Sequence, residues 1–245
     1  FKQVVSDLSD FTVEGQAYRV DLRLRPWGGD GRLVYSRPSA VEYYAHESEL
    51  WELQALIKLS PLAGDLEVGT RFLEDIRPAF TERIRAAGRP EVLRSIRHLR
   101  AQAVRMYSGV NDIKNGEGGI RDIEFFVQGI QMLQHSLFPQ LLTGNTRRAL
   151  EAMEEAGVLD PDAVRHLADD YLFLRRIEHF LQVYDDRQLH AIPAEPEARE
   201  KLGRVLALSD DATEPISADT LFDRLTETLK RVRATYLDLV GDTSA

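Results

Sequence analysis

Asn115-Gly116-Glu117-Gly118-Gly119-Ile120-Arg121-Asp122-Ile123-Glu124-Phe125-Phe126-Val127-Gln128, residues 115–128, runs from a glycine-rich loop straight into a helical pattern. At about 100° per residue, Ile120, Ile123, Phe126, Val127, Ile130 and Leu133 form one broad apolar side. Phe125 and Met132 lie on another, and a narrow polar strip of Arg121, Glu124, Gln128 and Gln131 runs between them. A helix that is apolar on two sides belongs inside a bundle rather than on its surface. Asp122 falls opposite the strip, where its reading is favourable charge in the first helical turn.

Working outward, helical periodicity predicts helices over 39–46, 48–59, 65–86, 90–107, 119–136, 145–156, 161–185, 196–207 and 217–239. Their stops are Pro61-Leu62-Ala63-Gly64, Gly88 with Pro90, the 115–119 loop, Phe138-Pro139, Gly157 and Ile192-Pro193. Ser39 with Glu42 has the spacing of a capping box, and Phe1 to about Leu8 reads as the end of a helix. One strand is expected, Tyr18 to Arg25, where Val20, Leu22 and Leu24 alternate with Arg19, Asp21, Arg23 and Arg25. After the turn Pro26-Trp27-Gly28-Gly29-Asp30-Gly31, Leu33-Val34-Tyr35 is expected to return as the second arm of a hairpin. The fold class is therefore mostly α: a β-hairpin remnant followed by an antiparallel helical bundle. The expected domain limits are a sheet portion over 1–37, a bundle over 38–208, a polar linker near 209–215 and a terminal helix over 217–240. A start at Phe1, within helical periodicity, carries the expectation of a fragment.

Composition narrows the function. The chain has 245 residues, 43% of them hydrophobic, which suits a globular protein with a real core. It lacks cysteine, which excludes a disulfide scaffold, a thiolate zinc site and a cysteine nucleophile. This is compatible with the cytoplasm. A net charge of -9 argues against general nucleic-acid binding. No stretch reaches the roughly 20 apolar residues of a membrane span.

Five groups of residues have chemical potential. Asp21 shares the expected strand's polar face with Arg19, Arg23 and Arg25. That face is either solvated and salt-bridged or a carboxylate metal ligand with arginines set for phosphate oxygens. Gly118 and Gly119 open a helix beside Arg121, so free N–H groups and the positive helix end offer an anion site for phosphate. Glu124 lies on a strip between apolar sides and needs a partner, structural or functional. Glu178, in Arg175-Arg176-Ile177-Glu178-His179-Phe180-Leu181-Gln182, falls within a seam of Leu167, Tyr171, Leu174 and Leu181, where an arginine partner is expected. On helix 90–107, Ile96, Leu99, Ala103 and Met106 face one way, and Arg94, Arg97 and Arg105 the other. That arginine face is read as solvated, or as meeting an acidic partner or nucleotide phosphates.

Three runs occur together and in order: Tyr-Arg-Val-Asp-Leu-Arg-Leu-Arg-Pro at 18–26, Gly-Glu-Gly-Gly-Ile-Arg-Asp-Ile-Glu-Phe at 116–125, and Arg-Arg-Ile-Glu-His-Phe-Leu-Gln at 175–182. In these the chain resembles the bifunctional glutamine synthetase adenylyltransferase/adenylyl-removing enzymes, from about Tyr18 to Pro193. The resemblance implies a polymerase-β-like nucleotidyltransferase sheet domain followed by a helical bundle. The 118–125 run and the Asp185-Asp186-Arg187-Gln188…Pro193 tail look more like the N-terminal, adenylyl-removing half. That half implies phosphorolysis of an AMP–tyrosine bond on glutamine synthetase, with magnesium.

By the same resemblance Asp21 is a catalytic carboxylate and metal ligand, while Arg23 and Arg25 contact phosphate or steady the carboxylates. The family's other two carboxylates lie in an Asp-x-Asp after Gly-Ser. Here only Asp160-Pro161-Asp162 has those letters, and it sits at a helix start. The expectation is a chain that is inactive alone. The alternatives are the ATP-using adenylylating half, or a non-catalytic docking and regulatory bundle. Implied partners are glutamine synthetase, the PII nitrogen-regulatory protein and nucleotide or phosphate, with no nucleic acid and no membrane.

Overall fold

The computed structural model describes residues 1–13, 15–16, 18, 20–107, 112–185, 192, 196–209 and 217–241, and these are mostly helical. The chain divides into two units, Phe1–Gly88 and Arg89–Ala245. The division falls inside α4, Leu66–Tyr107, where Gly88 takes φ 71 and ψ 166, values open to glycine and strained for other residues. The expected helices 65–86 and 90–107 are the two helical stretches on either side of it.

The first unit holds α1 (Lys2–Ser9), a two-residue antiparallel ladder of β1 (Phe11–Thr12) and β2 (Gly15–Gln16), α2 (Arg37–His46), α3 (Leu50–Leu56) and the start of α4. The strand expected over 18–25 is not formed among the described residues. Residues 20–25 have no ladder partner, and Leu24 is exposed. Alternation supplies only one face of a strand. The N–H and C=O groups also need a neighbour about 4.8 Å away, and Leu33-Val34-Tyr35 runs without strand structure. Arg25 instead gathers the carbonyls of Leu22, Gly29 and Gly31. Arg19 lies outside the described residues.

The 26–35 turn packs on α2 and its C-terminal end. The Trp27 ring lies 4.5 Å from that of Tyr43 and 5.4 Å from that of Tyr35, and its Nε1 donates to Glu47 at 3.0 Å. Arg37 pairs with Asp75 at 2.8 Å, and Arg83 reaches the Ala45 and Ser48 carbonyls. The cap of α2 is Ser36, whose hydroxyl accepts from the Ser39 N–H at 3.3 Å, with Pro38 in the first turn. The capping box belongs to α3, formed by Glu49 and Glu52. Tyr43 donates to Glu52 at 2.7 Å, and burial together with that bond pushes its phenol up to about 12.

The second unit holds the rest of α4, then α5 (Ile120–Gln134), α6 (Thr146–Glu155), α7 (Pro161–Asp185), α8 (Pro196–Ser209) and α9 (Ala218–Gly241). The expected bundle is here. α5 is its centre, in contact with α6, α7 and α9. Ile120, Ile123, Phe125, Phe126, Val127, Ile130 and Met132 are all buried, as a helix apolar on two sides requires. Gly129 permits this closeness: a Cβ there would stand 2.8 Å from Leu239 of α9. Gln131 ties α5 to the next loop by donating to the carbonyls of Leu141 at 2.6 Å and Thr143 at 2.9 Å. Most of the expected 209–215 linker and the 186–188 part of the quoted tail lie outside the described residues.

Candidate functional site

In the first unit the structure brings Asp21, Arg23 and Arg25 onto one braced turn. Asp21 accepts from the Arg23 main-chain N–H at 3.0 Å, from its Nε at 2.9 Å and from Nη2 at 2.6 Å. Both side chains are open to solvent. Arg25 faces inward: its guanidinium spans the turn to Gly29 and Gly31 at 3.2–3.4 Å. Trp27 takes φ 58, a left-handed conformation that is rare for a bulky residue, and its contacts with Tyr43, Tyr35 and Glu47 hold it there. The result is a carboxylate–guanidinium pair presented to solvent on a turn stiffened from behind.

In the second unit the glycine loop differs from the expected anion site. The Gly118 N–H donates to Asp122 at 2.6 Å. The Gly119, Ile120 and Arg121 N–H groups go to the carbonyls of Gly116, Ile113 and Lys114 at 3.0–3.1 Å. Every one of these donors is spent within the protein, and the place an anion would take is filled by the Asp122 carboxylate. Gly118 itself has φ 74, and a Cβ on it would come within 1.9 Å of the Leu229 carbonyl oxygen of α9.

Asp122 is fully buried, and so is its partner Arg100 on α4, at 0% and 2% side-chain exposure. Arg100 also donates to the carbonyls of Asn115 at 2.9 Å and Gly116 at 2.7 Å, so one guanidinium fastens helix, loop and carboxylate together. Arg233 of α9 adds a contact to Asp122 at 3.4 Å and a bond to Glu117 at 2.8 Å. Tyr236, beside this group, has its phenol pushed up to about 12 by burial and then by the Asp122 charge.

Helical pattern alone makes Asp122 a first-turn charge and assigns Arg100 no role. The available signal is position: Arg100 stands one turn beyond Ile96 on the side that buries Val92 and Leu93, while Met106, expected inside, is exposed. A charged residue on an apolar stripe calls for a buried partner.

Arg121 donates from Nε to the Asn115 side chain at 3.2 Å. Glu124 is half-buried, near enough to Tyr171 to act on its phenol, whose pKa is raised chiefly by burial. Glu178 is buried as expected, with Arg175 at 2.6 Å and Lys114 at 3.0 Å. Arg97 leaves the expected solvated face and donates to the Val240 carbonyl at 2.5 Å, near the end of α9. Asp160 and Asp162 serve the start of α7: the Asp160 carboxylate accepts from the Asp162 N–H at 2.9 Å. Among the described residues no three His, Asp or Glu side chains lie together as a metal site. Among them, too, no helix is long and apolar enough to cross a membrane.

A family model described as Glutamate-ammonia ligase adenylyltransferase matches residues 2–75, and one described as GlnD PII-uridylyltransferase matches residues 91–240. The chain is 34% identical, over 98% of its length, to the bifunctional glutamine synthetase adenylyltransferase/adenylyl-removing enzyme of Xanthomonas axonopodis pv. citri, covering 26% of that protein. It is 34% identical over 98% of its length to the enzyme of that name from Idiomarina loihiensis, covering 25%. Against the one from Nitrosococcus oceani it is 36% identical over 85% of its length, covering 22%. The chain thus spans about a quarter of the length of the curated relatives it matches.

Proposed function

This chain belongs to the family of bifunctional glutamine synthetase adenylyltransferase/adenylyl-removing enzymes, and from that membership we propose that it is part of the adenylyl-removing machinery. The reaction is phosphorolysis. An oxygen of inorganic phosphate attacks the AMP phosphorus, the bond to the tyrosine oxygen of glutamine synthetase breaks, that oxygen takes a proton, and ADP leaves. The match of residues 2–75, which include Asp21, to the adenylyltransferase model supports the nucleotidyl-transfer part of the reading, and the likeness of the 118–125 run to the adenylyl-removing half supports the direction.

In this reading Asp21 is the catalytic carboxylate, carried on a turn of what is proposed to be part of a nucleotidyltransferase domain. Arg23 holds the Asp21 carboxylate and is placed to meet phosphate oxygens. Arg25 and Trp27 keep the turn rigid, which favours catalysis by positioning. In a bound state magnesium would neutralise phosphate charge. Among the described residues Asp21 belongs to no group of three or more His, Asp or Glu side chains that could hold an ion, so these residues alone do not fit the ion. No step is assigned to it, and the chain alone is proposed to be inactive. Lys114, Arg121, Glu124 and Glu178 are proposed to support the bundle rather than to touch the nucleotide. Glutamine synthetase, PII and nucleotide or phosphate remain the proposed partners, in a cytoplasmic setting.

The test is transplantation. The chain is assayed alone and in place of the matching quarter of the Xanthomonas axonopodis relative, with adenylylated glutamine synthetase, magnesium and phosphate. Phosphate-dependent ADP release by the chimera, lost in Asp21→Asn, is the expected result. A chimera that incorporates AMP from ATP through this segment, and leaves ADP release untouched by Asp21→Asn, assigns the chain to the adenylylating half.

A further inference from the structure

The turn that carries Asp21 and Arg23 is closed on itself. Arg25 takes the carbonyls of Leu22, Gly29 and Gly31, and the Gly28 N–H donates to the Arg25 carbonyl at 2.8 Å. A closed turn keeps its own shape but needs an anchor to fix it against the helices. Trp27 lies within it at φ 58, a backbone that a bulky residue holds only when its surroundings over-determine it. Those surroundings converge on one side chain, Tyr43 of α2.

Tyr43 is 6% exposed, and its ring centre lies 4.5 Å from that of Trp27. Its hydroxyl has two partners. It donates to Glu52 Oε1 at 2.7 Å, and the Trp27 main chain hydrogen-bonds to it. Burial and the Glu52 bond raise the phenol's pKa, and the Trp27 bond pulls it the other way. The second Glu52 oxygen accepts the Glu49 N–H at 2.8 Å, in the capping box that starts α3. The Glu52 carboxylate is therefore held at both oxygens. One line of hydrogen bonds runs from the turn, through α2, to the first turn of α3. Packing asks only for the Tyr43 ring, and a phenylalanine would fill the same space. The hydroxyl is what makes the link directional.

We propose that Tyr43 and Glu52 are positioning residues for the transfer reaction: through Trp27 they fix the turn of Asp21 and Arg23 in the orientation the reaction needs. This deepens the phosphorolysis reading and rests on it. Neither residue is assigned a contact with substrate. Most of the binding surface for a protein substrate lies away from a single turn, so a tilt of the turn is felt in the transition state rather than in affinity. A small misplacement of reacting groups costs rate steeply.

The first measurement is amide hydrogen exchange in the full chain. Tyr43→Phe keeps the ring and its burial and removes only the hydroxyl. It is expected to speed exchange at Gly28, Asp30 and Gly31, whose N–H groups donate within the turn, at least tenfold, while exchange across α5 stays as it is. The second is steady-state ADP release by the chimera with the Xanthomonas axonopodis relative. Tyr43→Phe and Glu52→Ala are each expected to lower kcat about tenfold, with KM for phosphate and for adenylylated glutamine synthetase within twofold of the parent. The two changes together are expected to do no more than the larger one alone, because they cut one link. Glu52→Gln, which keeps an acceptor for the Tyr43 hydroxyl, is expected to restore most of the rate. Gly157→Ala, which strains a positive-φ glycine between α6 and α7, is expected to leave kcat unchanged, which separates positioning from a general loss of stability.

Exchange at 28–31 unmoved by Tyr43→Phe overturns the proposal whatever the chimera does. So does a chimera in which Asp21→Asn abolishes ADP release while Tyr43→Phe leaves kcat intact or raises KM alone, and the phosphorolysis reading then stands without it. ADP release untouched by Asp21→Asn fails the reading itself, and the proposal falls with it. Tyr43→Phe, which changes little volume in the core, carries the test where Glu52→Ala does not fold.

Discussion

Arg100 and Asp122 meet inside the helical unit with both side chains withdrawn from solvent, although 22 residues separate them in the chain. A buried pair of this kind is costly to break from one side, because the survivor keeps its charge without its counter-charge. Asp122→Ala is therefore expected to destabilise the chain by about 3–5 kcal/mol, read as a lowered urea midpoint. The double variant Arg100→Met/Asp122→Leu is expected to cost clearly less than the sum of its single changes. Strict additivity would show that the two side chains act independently.

Gly118 and Gly157 both have positive φ, 74 and 65, but only Gly118 has a neighbour where a Cβ would go. Gly157→Ala is expected to cost about 1 kcal/mol of backbone strain. Gly118→Ala adds collision with the Leu229 carbonyl and is expected to cost several times more. Equal losses in thermal melts would remove the steric argument and leave only φ.

Asp21 sits in an exposed pair, and exposed pairs contribute about 0–1 kcal/mol. Asp21→Asn is expected to leave the melting temperature of this chain nearly unchanged. In the chimera it is expected to lower phosphate-dependent ADP release by about a hundredfold or more. A large loss of stability would instead make Asp21 a structural anchor of the turn.

His135 is buried at the end of α5, with Nδ1 2.9 Å from the Met132 carbonyl, and burial lowers its pKa below the ordinary 6.5. Below pH 6.5 the unfolded chain takes up a proton that the folded chain refuses, so stability falls with falling pH until the lowered folded pKa is passed. His135→Gln is expected to flatten the stability profile over that acid window. A wild-type profile already flat there would refute the assignment.

How much of this is legible in the sequence depends on range. The limits of α5 to α9 follow from side-chain period and local stops, and Pro161–Asp185 forms as expected. The burial of Glu178 with Arg175 is legible too, because the pair is three residues apart on one helix. The 18–25 strand fails for the opposite reason: its alternation is local, but its hydrogen-bond partner has to come from elsewhere. Arg100, Asp122 and Arg233 join three elements and give no local sign of meeting. At Asp21 the sequence offers a residue type and its neighbours. The brace of Arg25 and the inverted φ of Trp27 are three-dimensional facts.

The Asp122 carboxylate in the glycine loop has a consequence for sensing. A helix start with open amides is a receiver whose occupancy follows the concentration of anions around it. Here the receiver is wired shut, since the anion is covalently part of the chain and present at a fixed, saturating local concentration. A phosphate could bind these amides only by displacing the Asp122 carboxylate from the Gly118 N–H.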